Sequence, residues 1–174
     1  KGQKANKKVQ FHFKIGSDYF LEIAKLKAFR ILWKSETGED AYIFTSNETS
    51  NKEAGFPYNN ILRSTTECMS AIFGGANAIM LSSYNSTFEN STEFSERIAR
   101  NQQTILKKES YLDKVEDPTK GAYYIDYLIQ ELLQDFKIKS KIKEASSTTK
   151  WESPEGIQIH NRYTKDDLSK TKHI

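Results

Sequence analysis

The sequence predicts an α/β fold with parallel strands, and three observations carry that prediction. Four short segments of strand character, at 11–15, 41–45, 76–81 and 122–125, are each followed by apolar residues at helical spacing. The segments recur about every 30–45 residues with a helix between each pair, which is the βαβ pattern of a parallel sheet. The chain has 174 residues, 37% hydrophobic and 28% charged, a balance that builds one core-bearing domain and excludes wholesale disorder.

The first unit opens with Phe11-His-Phe-Lys-Ile15, which alternates large apolar and polar side chains as a strand does. Gly16 breaks it, and Ser17 or Asp18 caps a helix over 18–33 whose stripe is Phe20, Ile23, Leu26, Phe29 and Trp33. Ala41-Tyr-Ile-Phe-Thr45 is the second strand, followed by a polar loop from Ser46 to Gly55. Pro57 stands at the first position of the next helix, with a stripe at Tyr58, Ile61, Leu62, Thr65, Met69 and Ile72, and Gly74-Gly75 ends it. Ala76 to Leu81 is nearly continuous in apolar character, which predicts a strand buried on both faces. A helix is predicted over 92–109 with Phe94, Ile98, Ile105 and Leu106 as its stripe. Asp117-Pro-Thr-Lys-Gly121 is a turn, Ala122-Tyr-Tyr-Ile125 a fourth strand, and Leu128 to Phe136 a last helix.

Four such units make half of an eight-stranded barrel and leave two open sheet edges. Residues 137–150 are basic and then Ser/Thr-rich, as a linker is, and 151–174 read as an extended arm. The expected organisation is therefore a basic tail over 1–10, a half barrel over 11–136, and a linker with an arm over 137–174.

The net charge of +3 is unevenly spread. Residues 1–10 carry four Lys and no acid, 137–174 carry nine basic and five acidic residues, and 11–136 carry 13 basic and 18 acidic. Basic ends admit a nucleic-acid-binding module as the alternative reading, although no aromatic-interleaved basic patch supports it. No apolar run is long enough to span a membrane and no secretory signal opens the chain, so a cytoplasmic protein is expected. One cysteine and three scattered histidines exclude a disulfide framework and argue against a structural zinc site.

The loops after the strands offer Ser17, Asp18, Ser46, Asn47, Glu48, Thr49, Ser82, Ser83, Tyr84, Asp126 and Tyr127, none of them a histidine. His12 lies within a strand and Cys68 within a helix, so no nucleophile has a base in reach. Asp18 and Glu48 read as helix caps or solvated charges more readily than as a carboxylate pair. Arg97 and Arg100 share a helix face with acidic neighbours, either as an anion or interface site or as a salt-bridged surface. Three Asn-x-Thr triplets, at Asn47, Asn85 and Asn90, fit the N-glycosylation pattern and are expected to be chance matches.

Ile15-Gly-Ser-Asp-Tyr-Phe-Leu-Glu-Ile-Ala-Lys-Leu-Lys-Ala-Phe-Arg-Ile-Leu-Trp33, Pro57-Tyr-Asn-Asn-Ile-Leu-Arg-Ser-Thr-Thr-Glu-Cys-Met-Ser-Ala71 and Phe94-Ser-Glu-Arg-Ile-Ala-Arg-Asn-Gln-Gln103 stand in this order in the chain. Gly74-Gly75, Glu109-Ser110, Asp117-Pro118 and Gly121-Ala-Tyr-Tyr-Ile125 accompany them. Together they resemble the methylmalonyl-CoA mutase family over about residues 11–133. The resemblance implies strands five to eight of the family's substrate-binding (β/α)8 barrel, a CoA ester substrate, and adenosylcobalamin as the group that interconverts methylmalonyl-CoA and succinyl-CoA.

Catalytic members carry His-x-Gln-Thr-Ser-Gly after the sixth strand; aligned on Thr49-Ser50, Ser46 stands at the His and Glu48 at the Gln. After the seventh strand Ser83 and Thr87 replace an Asn and a Glu that hold the adenosyl ribose. The resemblance thus implies degenerate catalytic positions at Ser46 and Glu48 and degenerate cofactor positions at Ser83 and Thr87. Arg100 and Gln103 are weaker candidates for packing or an interface. The cobalamin-binding motif Asp-x-His-x-x-Gly does not occur in the sequence, and neither does the first half of the barrel. These departures point to the non-catalytic small subunit of the heterodimeric enzymes, with the large subunit as partner. Trp151 to Ile157 and Tyr163 to Leu168 are similar to the N-terminal arm of that large subunit.

Overall fold

A computed structural model describes residues 9–147, 150–152 and 158–160, with side chains described for 9–137. The chain forms two compact units, Lys1–Leu132 and Leu133–Ile174. In the first, β1 (Gln10–Ile15), β2 (Tyr42–Asn47) and β3 (Ala78–Met80) form a parallel sheet in the order β1-β2-β3. Helices α1 (Tyr19–Thr37), α2 (Asn59–Phe73) and α3 (Glu93–Lys108) belong to the same unit, and α4 (Tyr123–Ser147) starts in it. In the second unit, β4 (Lys150–Glu152) and β5 (Gln158–His160) pair antiparallel.

Local chemistry explains the helix ends. Asp18 caps α1 by accepting the Leu21 N–H at 3.3 Å, and Gly38 closes it in the left-handed conformation at φ +75°. The helix thus runs four residues past the predicted end at Trp33. Thr92 and Ser95 form a capping box at the start of α3. Pro57 precedes α2 in a turn closed by the Asn59 and Asn60 N–H groups on the Phe56 and Pro57 carbonyls. It therefore stands two residues before the helix rather than at its first position.

The core lies between the sheet and the helices on one of its faces. Ile15, Ile43, Leu26, Ala41 and Ala71 are buried together. The rings of Phe11 and Phe13 meet Phe29 and Trp33 edge-on, with centroids 4.6–4.8 Å apart. A second cluster joins Cys68, Leu81, Ala99 and Leu106 between α2 and α3. The buried stripes depart from the predicted ones. Phe20, Tyr58, Leu62, Phe94 and Ile105 are exposed, while α2 buries Asn60, Ser64, Glu67, Cys68, Ser70 and Ala71. The most buried face of α2 is largely polar, so of the predicted apolar stripe Met69 and Ile72 pack against the second cluster while Tyr58 and Leu62 stand exposed.

Three further expectations are corrected. Residues 122–125 form no strand: Gly121 turns the chain at φ +82°, the Asp126 N–H bonds to the Ala122 carbonyl, and Ile125 and Ile129 become the buried i,i+4 pair of α4. Tyr123 is 87% exposed, so the aromatic run there is surface rather than sheet. Strand β3 is three residues long and not buried on both faces, since Met80 is 49% exposed. The segment read as a linker continues α4 to Ser147. The resemblances beyond Glu152 fall largely outside the described residues, as do the ends of the basic termini.

Gly74, at the C-terminal end of α2, lies tightly against Leu26 of α1. A Cβ there would stand 2.8 Å from Leu26 Cδ1 and 3.0 Å from Leu26 Cβ, and Leu26 is fully buried. We expect Gly74→Ala to lower unfolding stability by about 1–3 kcal/mol, as overpacking does. Urea denaturation followed by circular dichroism measures it, and an unchanged midpoint would contradict the close approach.

Candidate functional site

Ser46, Glu48, Ser83 and Thr87 sit at or after the C-terminal ends of β2 and β3, where parallel strands deliver functional side chains, while Arg100 and Gln103 lie on α3. Ser46 is buried on β2 and its Oγ lies 2.8 Å from His12 Nε2 on β1. This corrects the expectation that no histidine reaches a strand-end serine. The register explains it: Lys14 is level with Ser46, which leaves His12 one step back on the same face of the sheet. The imidazole also lies against Phe44, with ring centroids 4.8 Å apart. No described carboxylate bonds to the His12 ring, so the pair has no acid to orient the base.

Glu48 does not pair with Asp18, whose side chain caps α1. Its carboxylate turns back onto its own loop instead. Glu48 Oε1 accepts the Thr49 N–H at 2.7 Å and the Ser50 N–H at 3.2 Å, with Lys14 Nζ at 3.5 Å. Those two backbone donors, and then the Lys14 charge, hold the carboxyl below the ordinary glutamate range. Ser83 is buried and its hydroxyl bonds to that of Ser91, whereas Thr87 is exposed. Ser83 and Arg100 line one cleft of about 350 Å³. Arg100 is exposed and pairs with Glu96 at 3.8 Å along α3. Gln103 lines a different cleft, beside β3, and donates to the Ala99 carbonyl at 3.3 Å. The six candidates therefore do not converge on one point.

Lys52, Asn51 and Asn60, which the sequence reading does not single out, organise this end together with Asn47 and Gln102, which it names as part of the strand-end loops and of the polar run on the third helix. Lys52 Nζ lies 2.8 Å from both carboxylate oxygens of Glu67, with side chains only 3% and 1% exposed. Asn51 Nδ2 donates to the same carboxylate at 2.6 Å. Buried Asn60 takes the Glu53 N–H and donates to the Glu53 and Tyr84 carbonyls, fastening the loop after β2 to the loop after β3. Asn47 accepts the Ser82 N–H at 2.7 Å across the same two strand ends. Gln102 of α3 donates to the Ile61 carbonyl and to Thr65 on α2. The available signal is the polar spacing Asn60, Ser64, Glu67 along α2, a buried stripe written in polar residues. Asn47 and Asn85 are both buried, which disqualifies two of the three glycosylation triplets.

Chemically, the arrangement binds loops together and offers little reactivity. Cys68 is buried, and burial pushes its thiol up to about 11, so it is no nucleophile at neutral pH. Among the described residues no cluster of His, Cys, Asp and Glu is placed to hold a metal. No described helix is long and apolar enough to cross a membrane.

Lys52→Ala strands a buried carboxylate and is expected to cost about 3–5 kcal/mol, whereas Lys52→Met with Glu67→Leu recovers much of that loss. Urea denaturation of the two variants separates these outcomes. For Glu48, whose carboxyl is depressed by folding, the stabilisation is fully present above the unfolded carboxyl value of about 4.3 and is lost as pH falls through the lower folded value. The Glu48 carboxyl is expected to titrate below about 4.3 by NMR, and Glu48→Gln is expected to flatten the stability profile in that acid range.

The comparisons with known proteins agree with the resemblance seen in the sequence. The family profile described as methylmalonyl-CoA mutase matches residues 2–150. The chain is 39% identical to a methylmalonyl-CoA mutase small subunit from Porphyromonas gingivalis, over 87% of this chain and 26% of that protein. It is 39% identical to a methylmalonyl-CoA mutase from Rhizobium meliloti, over 73% of this chain and 19% of that protein. A methylmalonyl-CoA mutase from Escherichia coli is 33% identical over 82% of this chain and 21% of its own length. The chain thus spans between 19% and 26% of the length of these relatives. With a profile over most of its length and relatives at this identity, the chain belongs to the methylmalonyl-CoA mutase family.

Proposed function

We propose that this chain is a small-subunit-like member of the family, a structural partner of a catalytic large subunit with no turnover of its own. In this reading β1, β2 and β3 are strands five to seven of the substrate barrel, and the eighth, expected at 122–125, is not built. The reading places the protein in the cytoplasm. Its CoA ester substrate belongs to the assembled enzyme.

One observation carries the reading: polar groups at the degenerate positions are committed to neighbours within the chain. The Ser46 hydroxyl bonds to His12, the Glu48 carboxylate to two backbone N–H groups, and the Ser83 hydroxyl to Ser91. Each is also shorter than, or charged differently from, the group the family pattern has there. Adenosylcobalamin supplies the radical chemistry in the family. Ser83 and Thr87 do not fit the ribose role, because one is already bonded and the other is a short exposed side chain. The chain's contribution is then shape and surface rather than a chemical step. The similarity to a relative named as a small subunit supports the same reading, and nothing favours the nucleic-acid alternative.

Co-expression with a full-length large subunit, followed by size-exclusion chromatography, tests the partnership. A stoichiometric complex is the expected result, and separate elution would overturn it. Mutase assays with methylmalonyl-CoA and added adenosylcobalamin are expected to show no turnover by the isolated chain, and none after Ser46→His with Glu48→Gln. Measurable turnover by either would refute the non-catalytic assignment.

A further inference from the structure

The start of α2 and the loop after β3 meet through two phenol rings as well as through Asn60. Tyr58 and Tyr84 stand with ring centroids 5.4 Å apart and planes inclined at 44°. Tyr58 occupies the cap position of α2, and its side chain makes no capping hydrogen bond. It is 65% exposed, so a small oxidant reaches its phenol from solvent. Tyr84 is half-buried, and its carbonyl accepts Asn60 Nδ2 at 2.9 Å. That bond holds the backbone of the second ring against the helix that carries the first.

The hydroxyl ends of the two rings face one another. Burial pushes the Tyr84 phenol above its ordinary value, and the Tyr58 phenol and the Glu89 carboxylate beside it push it further. Each ring carbon next to a hydroxyl carries much of the unpaired spin of an oxidised tyrosine. Joining two such carbons here needs a closing movement of about 1 Å, within the thermal excursion of an exposed side chain. Among the described residues no other two tyrosine rings are in contact: Tyr19 and Tyr124 each meet Phe20 instead. Proximity therefore singles out this pair, although Tyr123 is the more exposed phenol.

We propose that Tyr58 and Tyr84 form an oxidative modification site, at which a one-electron oxidant couples the two rings into a dityrosine bond that locks α2 to the loop after β3. Each phenol gives one electron to the oxidant and its hydroxyl proton to water, leaving a phenoxyl radical. The two radicals form one carbon–carbon bond between their ortho carbons. The hydrogen on each of those carbons then moves as a proton to the phenolic oxygen, which restores both rings. In balance two C–H bonds break and one C–C bond forms. A peroxidase with hydrogen peroxide takes up the two electrons and two protons, and one peroxide becomes two waters. The bond closes a loop of chain that contains α2 and β3, so it also restricts the unfolded state. The site stands on the ring geometry and does not depend on the small-subunit reading.

Treatment of the full chain with a peroxidase and hydrogen peroxide tests it, the products being separated by size and mapped by tryptic digestion and mass spectrometry. The expected product runs as a single chain and yields one peptide that joins Tyr58 to Tyr84, two hydrogens lighter than its two parts. Tyr58→Phe and Tyr84→Phe are each expected to abolish that peptide with an unchanged far-UV spectrum. Should Tyr84→Phe fail to fold, Tyr58→Phe, whose ring lies mostly in solvent, carries the test alone. Urea denaturation gives the second reading. The midpoint of the cross-linked chain is expected to rise above that of the untreated chain, and that of the treated Tyr58→Phe chain is expected not to rise. Absence of the joined peptide overturns the proposal, whether no bond forms, bonds form only between chains, or other tyrosines couple in its place. A joined peptide without a rise in midpoint overturns the lock.

Discussion

The Lys52–Glu67 ion pair is the interaction on which the strand-end architecture rests. Two opposite charges are almost fully withdrawn from water, and neither is tolerable there without the other. One comes from the loop after β2 and the other from the middle of α2. Their union fixes where that loop runs. With the loop fixed, Asn51 reaches the same carboxylate, and Asn60 can bridge to the loop after β3. Ser46 is placed by the register of β2 on β1, and Glu48 by the Thr49 and Ser50 N–H groups beside it. A parallel sheet ordinarily uses its strand-end loops for ligands; here the buried charge and its hydrogen-bonded neighbours use the loops to hold one another.

The proposed non-catalytic reading rests on a physical contrast with a catalytic design. A catalytic loop keeps its polar groups unsatisfied and aimed at a common point, at a cost in stability that substrate binding offsets. Ser46, Glu48 and Ser83 each have a partner within the chain, and Arg100 and Gln103 line different clefts. Satisfying groups in this way stabilises the fold and leaves them less free to meet a ligand. Family membership and the proposed loss of chemistry are compatible for that reason: the segments that carry the family resemblance, Ile15–Trp33, Pro57–Ala71 and Phe94–Gln103, lie largely in α1, α2 and α3, which build the scaffold.

Much of the scaffold was legible from residue pattern. Alternation in Phe11–Ile15, the Asp18 and Thr92 caps and the Gly74-Gly75 stop all act through local geometry, and each appears where its chemistry puts it. What was illegible depends on partners distant in sequence. Apolar spacing could not reveal that α2 buries Asn60, Ser64 and Glu67, because their burial is tolerable only with Lys52, Glu53 and Tyr84 alongside. The Tyr123-Tyr124-Ile125 run has strand-like residues, yet only Ile125 is buried, and a helix serves one buried position in four as well as a strand serves one in two. For the candidate site, the pattern located the loops correctly but not their wiring: the His12–Ser46 contact depends on strand register, which no single segment encodes.

The burial of Cys68 makes the chain carry its own opening gauge. It is the only cysteine in the sequence, and it sits where α2, α3 and the end of β3 meet. With Cys68 only 2% exposed at the base of the cleft beside β3, a thiol-specific reagent gains full access when those elements part, and its high proton affinity keeps the reactive thiolate scarce until they do. The rate of labelling therefore reports breathing between helices, residue-specifically and without an introduced probe, and anything that clamps the sheet and its helices together should slow that chemistry.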